Sequence, residues 1–217
     1  GQRIKYQKLD KNYGISINTN KALEMATGDY IGLLDHDDLL TPNALFEVIQ
    51  ALQDSAKTVG SVSTNTICAL YSDEDKVDSR DSRYFDYHKK PDFNLDLLRS
   101  NNYICHFFVV KTRIAREAGG FRTEFNGAQD HDFILRCVEN LSIKSIKHIP
   151  KVLYHWRAHE DSTADNPESK LYAYEAGKHA IEAHLERMNI EAEVLYTPHL
   201  GFFRVKYIPK EASVSII

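Results

Sequence analysis

The chain has 217 residues, 42% of them hydrophobic, which suits one packed domain and at most half of another. Its 27 Lys and Arg against 31 Asp and Glu leave a net charge of −4, which argues against nucleic acid as an obligate partner. No stretch nears the roughly 20 apolar residues of a membrane-crossing helix, no leader is recognisable, and Cys68, Cys105 and Cys137 lack CxxC spacing and read as reduced thiols of a cytoplasmic protein.

In chain order, Arg3 to Leu9 reads as a strand, met abruptly with no Met or capping element before it. Ser16 can cap a helix running to about Thr27, with Ile17, Ala22, Leu23 and Met25 apolar and Gly28 as its stop. Asp29 to Leu34 is a short, nearly all-apolar run of the kind buried on both faces of a parallel sheet, and it stops in Asp35-His36-Asp37-Asp38. Three carboxylates in four positions repel one another unless a cation or a donor-rich ligand neutralises them. The carboxyl end of a strand in an open α/β sheet is also where ligands bind. Strand alternation would send Asp35 and Asp37 to one side, a geometry for gripping a hard divalent ion. An acidic turn that merely starts a helix is the plainer reading, but Thr41-Pro42 suffices for that.

That helix runs from Pro42 to about Asp54, and Thr66 to Ser72 is a strand ending in Asp73-Glu74-Asp75. Tyr84 to Asp92 reads as an aromatic and basic loop, Asn94 to Ser100 as a short helix, and Cys105 to Val110 as a buried strand before a helix that stops at Gly119-Gly120. Ala128 to Asn140 is amphipathic, with Phe133, Ile134, Cys137 and Val138 facing inward. Asp130 and Asp132 sit in its first turn, where the helix dipole alone favours acids by about 0.3–1 kcal/mol. Ser145 to Ile149 is a strand, and Val152 to Arg157 leads into a polar loop through Pro167. A long helix from Glu168 to about Met188 and a β pair (190–195, 201–207) close the domain, and Ser213 to Ile217 is a strand-like stub. Alternating strands and helices predict an α/β sandwich around a largely parallel sheet.

Taken together, TGDYIGLLDHDDLLTPNAL, YSDEDKVD, NYICHFFVVKTRIAREAGGF, GAQDHDFILRC and IPKVLYHWRAHEDSTA resemble the family 2 glycosyltransferases of GT-A fold. The nearest likeness is to bacterial enzymes of surface-polysaccharide assembly, rhamnosyltransferase-like ones included, and it runs from Ile4 to Tyr207 in the family's order. It implies an α/β/α sandwich around a mostly parallel sheet. It also implies an inverting, metal-dependent transfer of a sugar from a nucleotide-diphosphate donor to a bacterial polysaccharide or lipid-linked glycan. By resemblance, Asp35 lies by the ribose or the metal and Asp37 is a direct ligand of Mg²⁺ or Mn²⁺. His155 is a further ligand whose imidazole would favour Mn²⁺, and a histidine simply packed beside Trp156 is the competing reading. Asp130 is the general base, with Gln129 where the family has Glu. Arg157, Ser162 and Thr163 match a segment that closes over the donor diphosphate. Asp75, Tyr103, His106 and Gln129 fall on the acceptor side.

The family's opening strand and its nucleobase-gripping aspartates do not precede Gly1. The expectation is therefore an N-terminally truncated GT-A domain over residues 1–208, with 209–217 a linker and the first strand of a following domain, a second glycosyltransferase among the candidates. That tail, from this chain or a neighbour, could fill the sheet slot left open. The whole protein would work in the cytoplasm or peripherally at the inner membrane face. A non-catalytic glycan- or partner-binding domain of the same fold stays open as the alternative. A nucleotidyltransferase is disfavoured, because no GxxxxGK[ST] loop appears.

Overall fold

Two long strands, β3 (Ala69–Val77) and β6 (Ile146–Arg157), lie side by side and parallel, from Ala69 opposite Ile146 to Val77 opposite Arg157. They are the middle of a six-stranded sheet in a computed structural model that describes residues 3–57, 66–158, 171–209 and 213–215. On one side β5 (Phe108–Lys111) pairs with β3, and β1 (Tyr30–Gly32) with β5; on the other, β2 (Leu39–Leu40) pairs with β6. β4 (Tyr84–His88) hairpins onto the far end of β3. All of these flanking pairings are antiparallel, so the sheet is mixed where a largely parallel one was expected. A parallel neighbour needs a long crossover. β6 has one, through α4 (Thr112–Glu117) and α5 (Gln129–Val138), whereas the chain returns to β5 from α3 (Leu95–Ser100) at the end it left.

Alternation along β3 divides the core. Tyr71 faces a cluster with Leu98, Ile104, Phe108, Phe133, Ile134 and Ile181, which packs α3, α5 and α6 (Leu171–Arg187) against one side of the sheet. Leu70 faces Val109, Leu153, Tyr154 and Val48, where α2 (Ala44–Lys57) covers the other. Each such side chain contributes about 1.5–3 kcal/mol by burial. The sandwich is thus three-layered, and Phe133, Ile134, Cys137 and Val138 of α5 point inward as expected. β7 (Ala192–Tyr196) and β8 (Phe203–Tyr207) form the closing antiparallel pair.

Four local expectations change. Residues 4–9 form no strand, and Ile4 and Tyr6 are largely exposed. Residues 213–215 form none either, and Val214 is 83% exposed, so this part of the tail fills no slot in its own sheet. α1 (Ile15–Met25) is preceded by Gly14 as its cap, without a side-chain bond. Ser16 is buried instead and donates its hydroxyl to Asn126 Oδ1 at 2.6 Å, pinning α1 to the loop before α5. Finally, the Tyr84–Asp92 loop contains β4.

Candidate active site

Between α1, the end of β1 and the start of α5 lies a cleft of about 770 Å³, lined among others by Leu33, Asp35, Cys105, His106, Gln129 and Asp130. Its acidic side follows from where β1 stops. The strand ends at Gly32, one more bond follows from the Leu33 N–H to the Phe108 carbonyl at 3.0 Å, and the N–H of Asp38 reaches the carbonyl of Asp35 at 3.3 Å, closing a tight turn. Asp35 and Asp37 therefore sit on a turn, and the strand alternation expected of them does not apply. Asp35 lines the cleft, His36 is nearly fully exposed with Nδ1 3.5 Å from Asp37, and Asp38 points inward.

Asp38 is buried and satisfied. The Tyr154 hydroxyl donates to one carboxylate oxygen and the backbone N–H of Arg157 to the other at 2.8 Å. Burial and the Asp38 bond push the Tyr154 phenol far up, so it stays a donor. Asp35 has its carboxyl pKa raised by burial and by the charges of Asp130, Asp38 and Asp37, against which His106 acts.

On the opposite wall α5 begins after Gly127, whose φ of +101° suits glycine, and a side chain there would meet Tyr172 of α6 at 2.7 Å. The helix start brings Asp130 to the cleft, where Asn102 Nδ2 donates to its Oδ2 at 3.1 Å. Gln129 Oε1 accepts from the Gly127 N–H at 2.8 Å, a turn-capping task, while the residue also lines the cleft.

His106 stands between the two walls. Its ring stacks on Tyr154 at 4.7 Å, and its Nε2 lies 3.8 Å from Asp35. Burial opposes its protonation, but Glu74, Asp35 and Asp130 outweigh it and raise its pKa. Among the described residues, two sets of ligand-type atoms gather within 4.8 Å: Asp35, Asp38 and His106, and Cys105, His106 and Asp130. Either could hold a metal ion. Neither includes Asp37 or His155.

The remaining expected residues fall in different places. His155 and Asp75 face each other across the β3–β6 register, with Nδ1 and Oδ1 2.5 Å apart, and Tyr84 packs on the imidazole at 4.5 Å. The Arg157 guanidinium bonds the Asp37 carbonyl and the Asp81 carboxylate, bracing the acidic turn. Tyr103, placed on the acceptor side by resemblance, is 3% exposed. Its hydroxyl accepts from the Asn94 N–H at 2.9 Å and its ring meets Tyr71 edge-on, so it is a core residue and that assignment is corrected. Ser162 and Thr163 lie outside the described residues. Sequence reasoning missed Asn102, Cys105 and the anchoring role of Asp38, although all three stand in segments that carried the resemblance.

Residues 1–119 match the model for glycosyl transferase family 2. The chain is 44% identical to the uncharacterized protein y4gI of Sinorhizobium fredii, over 85% of this chain and 19% of that one. It is 37% identical to the O-antigen biosynthesis protein RfbC of Myxococcus xanthus (92% and 15%) and 29% identical to the chondroitin synthase of Pasteurella multocida (70% and 15%). It thus spans less than a fifth of these relatives. In fold it is similar to S. aureus TarS, with a TM-score of 0.51 and 15% identity over 83% of this chain and 33% of TarS.

Proposed function

The chain belongs to glycosyl transferase family 2, and on that premise we propose that the cleft transfers a sugar, with inversion, from a nucleotide-diphosphate donor to a glycan acceptor. The observation that carries the reading is the convergence of Asp35, from the end of β1, and Asp130, from the start of α5, on one cleft with His106 between them. Asp130 takes the proton of the acceptor hydroxyl as that oxygen attacks the anomeric carbon from the face opposite the leaving diphosphate. Asn102 holds one carboxylate oxygen and so fixes the direction of the base.

A divalent cation fits the other wall. Burial first, and then the charges of Asp130, Asp38 and Asp37, disfavour the ionised form of Asp35, a cost that a cation beside it would offset, and oxygen donors with an imidazole suit Mn²⁺ and admit Mg²⁺. Both oxygens of Asp38 are already bonded, and the resemblance makes Asp35 and Asp37 the ligands proposed here. His155 fits as a further one, because a carboxylate on Nδ1 leaves Nε2 with its lone pair. Asp75 is then its orienting partner. When bound, such an ion would neutralise charge on the departing nucleoside diphosphate. Arg157, Ser162 and Thr163 stay assigned to the donor's phosphates.

The names of the relatives, an O-antigen biosynthesis protein and a chondroitin synthase, support a polysaccharide as acceptor; a lipid-linked glycan and work at the inner face of the membrane belong to the same proposal. Among the described residues no helix is long and apolar enough to cross a membrane. The test is donor turnover by the full-length protein with Mn²⁺, Mg²⁺ or chelator. Asp37→Ala and Asp130→Asn should each lower transfer by about 10²–10⁴-fold. Full activity in both variants would remove the catalytic assignment of the cleft and favour a non-catalytic domain of the same fold.

A further inference from the structure

Beneath the cleft, three segments meet around one buried ammonium. Lys90 is 2% exposed, and its Nζ donates to Glu74 Oε2 at 3.2 Å, to the Ile104 carbonyl at 3.0 Å and to the His106 carbonyl. All three of its donors are therefore used. Glu74, 7% exposed, answers on the same segment. It accepts from the backbone N–H of His106, lies 3.5 Å from the His106 Nδ1, and meets His88 Nδ1 at 3.3 Å on its other oxygen.

Burial disfavours both charges. For Lys90 it prevails and lowers the pKa. For Glu74 it is outweighed by His106, His88 and Lys90, which hold the carboxyl well below the usual range. Such a pair is a poor source of stability, since well-packed apolar replacements are often as stable or more so. What it supplies is direction, because apart from their mutual bond and the Glu74–His88 contact the two side chains bond to the two carbonyls and the one N–H that flank Cys105 and His106.

We propose that the Glu74–Lys90 pair is a positioning device, which fixes the 104–106 backbone so that the Cys105 thiol and the His106 imidazole enter the cleft between Asp35 and Asp130. The importance of that placement for transfer rests on the function proposed above; the placement itself does not. The pair ties the middle of β3 and the chain after β4 to the cleft floor. Glu74 and Lys90 touch no reacting atom and act through His106.

The test uses the full-length protein and two readouts. The first is the rate at which iodoacetamide alkylates Cys105, resolved from Cys68 and Cys137 by peptide mass spectrometry. The second is transfer kinetics. Lys90→Met and Glu74→Gln each break the pair, and the double variant Glu74→Leu with Lys90→Met removes both charges, so that no unpaired charge is left to unfold the domain. In the folded double variant, Cys105 should be alkylated at least about tenfold faster, because the segment opens locally. Its kcat should fall by about 10²-fold with donor KM little changed, as misplacement of a group predicts. Wild-type alkylation in the folded double variant would overturn the proposal. Faster alkylation with no transfer by the wild type itself would uphold the device and remove the glycosyltransferase reading.

Discussion

Asp130 and Asp132 stand two positions apart in the first turn of α5 and have opposite surroundings. Asp132 is wholly buried, and the guanidinium groups of Arg122 and Arg136 close on its two oxygens, with Arg136 Nη2 at 2.6 Å. Burial raises its pKa, but the two arginines prevail and hold it below the ordinary carboxylate value. Asp130 faces the cleft with an amide, a thiol and an imidazole around it, and among the described residues no lysine or arginine pairs with it. One acid is neutralised by its own chain and serves the fold. The other is left to meet something the chain does not contain. The helix dipole favours both alike, so it cannot separate them; the compensation does.

The comparison would break if the two acids exchanged roles on substitution. Asp130→Asn should leave thermal stability near that of the wild type while abolishing most transfer. Asp132→Asn should do the reverse. It takes the shared carboxylate from two guanidinium groups, which keep only the Ala118 and Gly120 carbonyls and Glu124, and should destabilise by about 3 kcal/mol, the low end for a broken buried pair because Arg122 is partly exposed. Activity per folded molecule should survive. Urea titrations of both variants, with turnover measured on the folded fraction, decide it; an inactive but stable Asp132→Asn would place that acid in the chemistry.

A pH series sharpens the same contrast with a smaller effect. The folded-state pKa of Asp132 lies below its unfolded value, so the folded form binds fewer protons. Its contribution is complete above the unfolded carboxylate pKa of about 3.9 and is lost as pH falls through the folded value. The stability gap between wild type and Asp132→Asn should therefore be full at neutral pH and shrink below about pH 4. Glu139, lowered by His184 and Arg187 despite burial, adds to the slope in both proteins and leaves the gap between them unchanged. A gap that stayed constant down to acid unfolding would mean that shape, and not charge, holds Asp132.

The layering was readable because it depends on period. Phe133, Ile134, Cys137 and Val138 recur at helical spacing and pack where that spacing puts them. The family was readable because its segments keep their order. The centre of the site was not, because it depends on bonds between distant segments. His106 reaches the cleft on a backbone held by Glu74 and Lys90, and no local pattern announces that tie. Strand alternation gives Asp38 no role, whereas β1 ends at Gly32 and the turn that follows sends Asp38 to Tyr154. The sheet was expected to be more parallel than it is because strand runs alone do not show the direction of return.

Tyr103 is the finest test of the contrast between groups that serve the fold and groups that serve the cleft. It lies next to Asn102, which holds Asp130, in a tight turn where the Tyr103 N–H reaches the Asn101 carbonyl at 2.8 Å, and the two side chains part there. The tyrosine goes into the core against Tyr71, with its hydroxyl accepting from the Asn94 N–H just before α3. Tyr103→Phe removes that acceptor and keeps the ring, so it should cost about 0.5–1.5 kcal/mol of stability and leave the acceptor KM unchanged. Asn102→Ala, one residue earlier, should leave stability nearly intact and lower kcat, because it frees the base from the amide that orients it. Kinetics of the two variants beside their thermal midpoints separate the neighbours. An acceptor KM that rises in Tyr103→Phe would return this residue to the acceptor side and move the boundary of the cleft inward by one side chain.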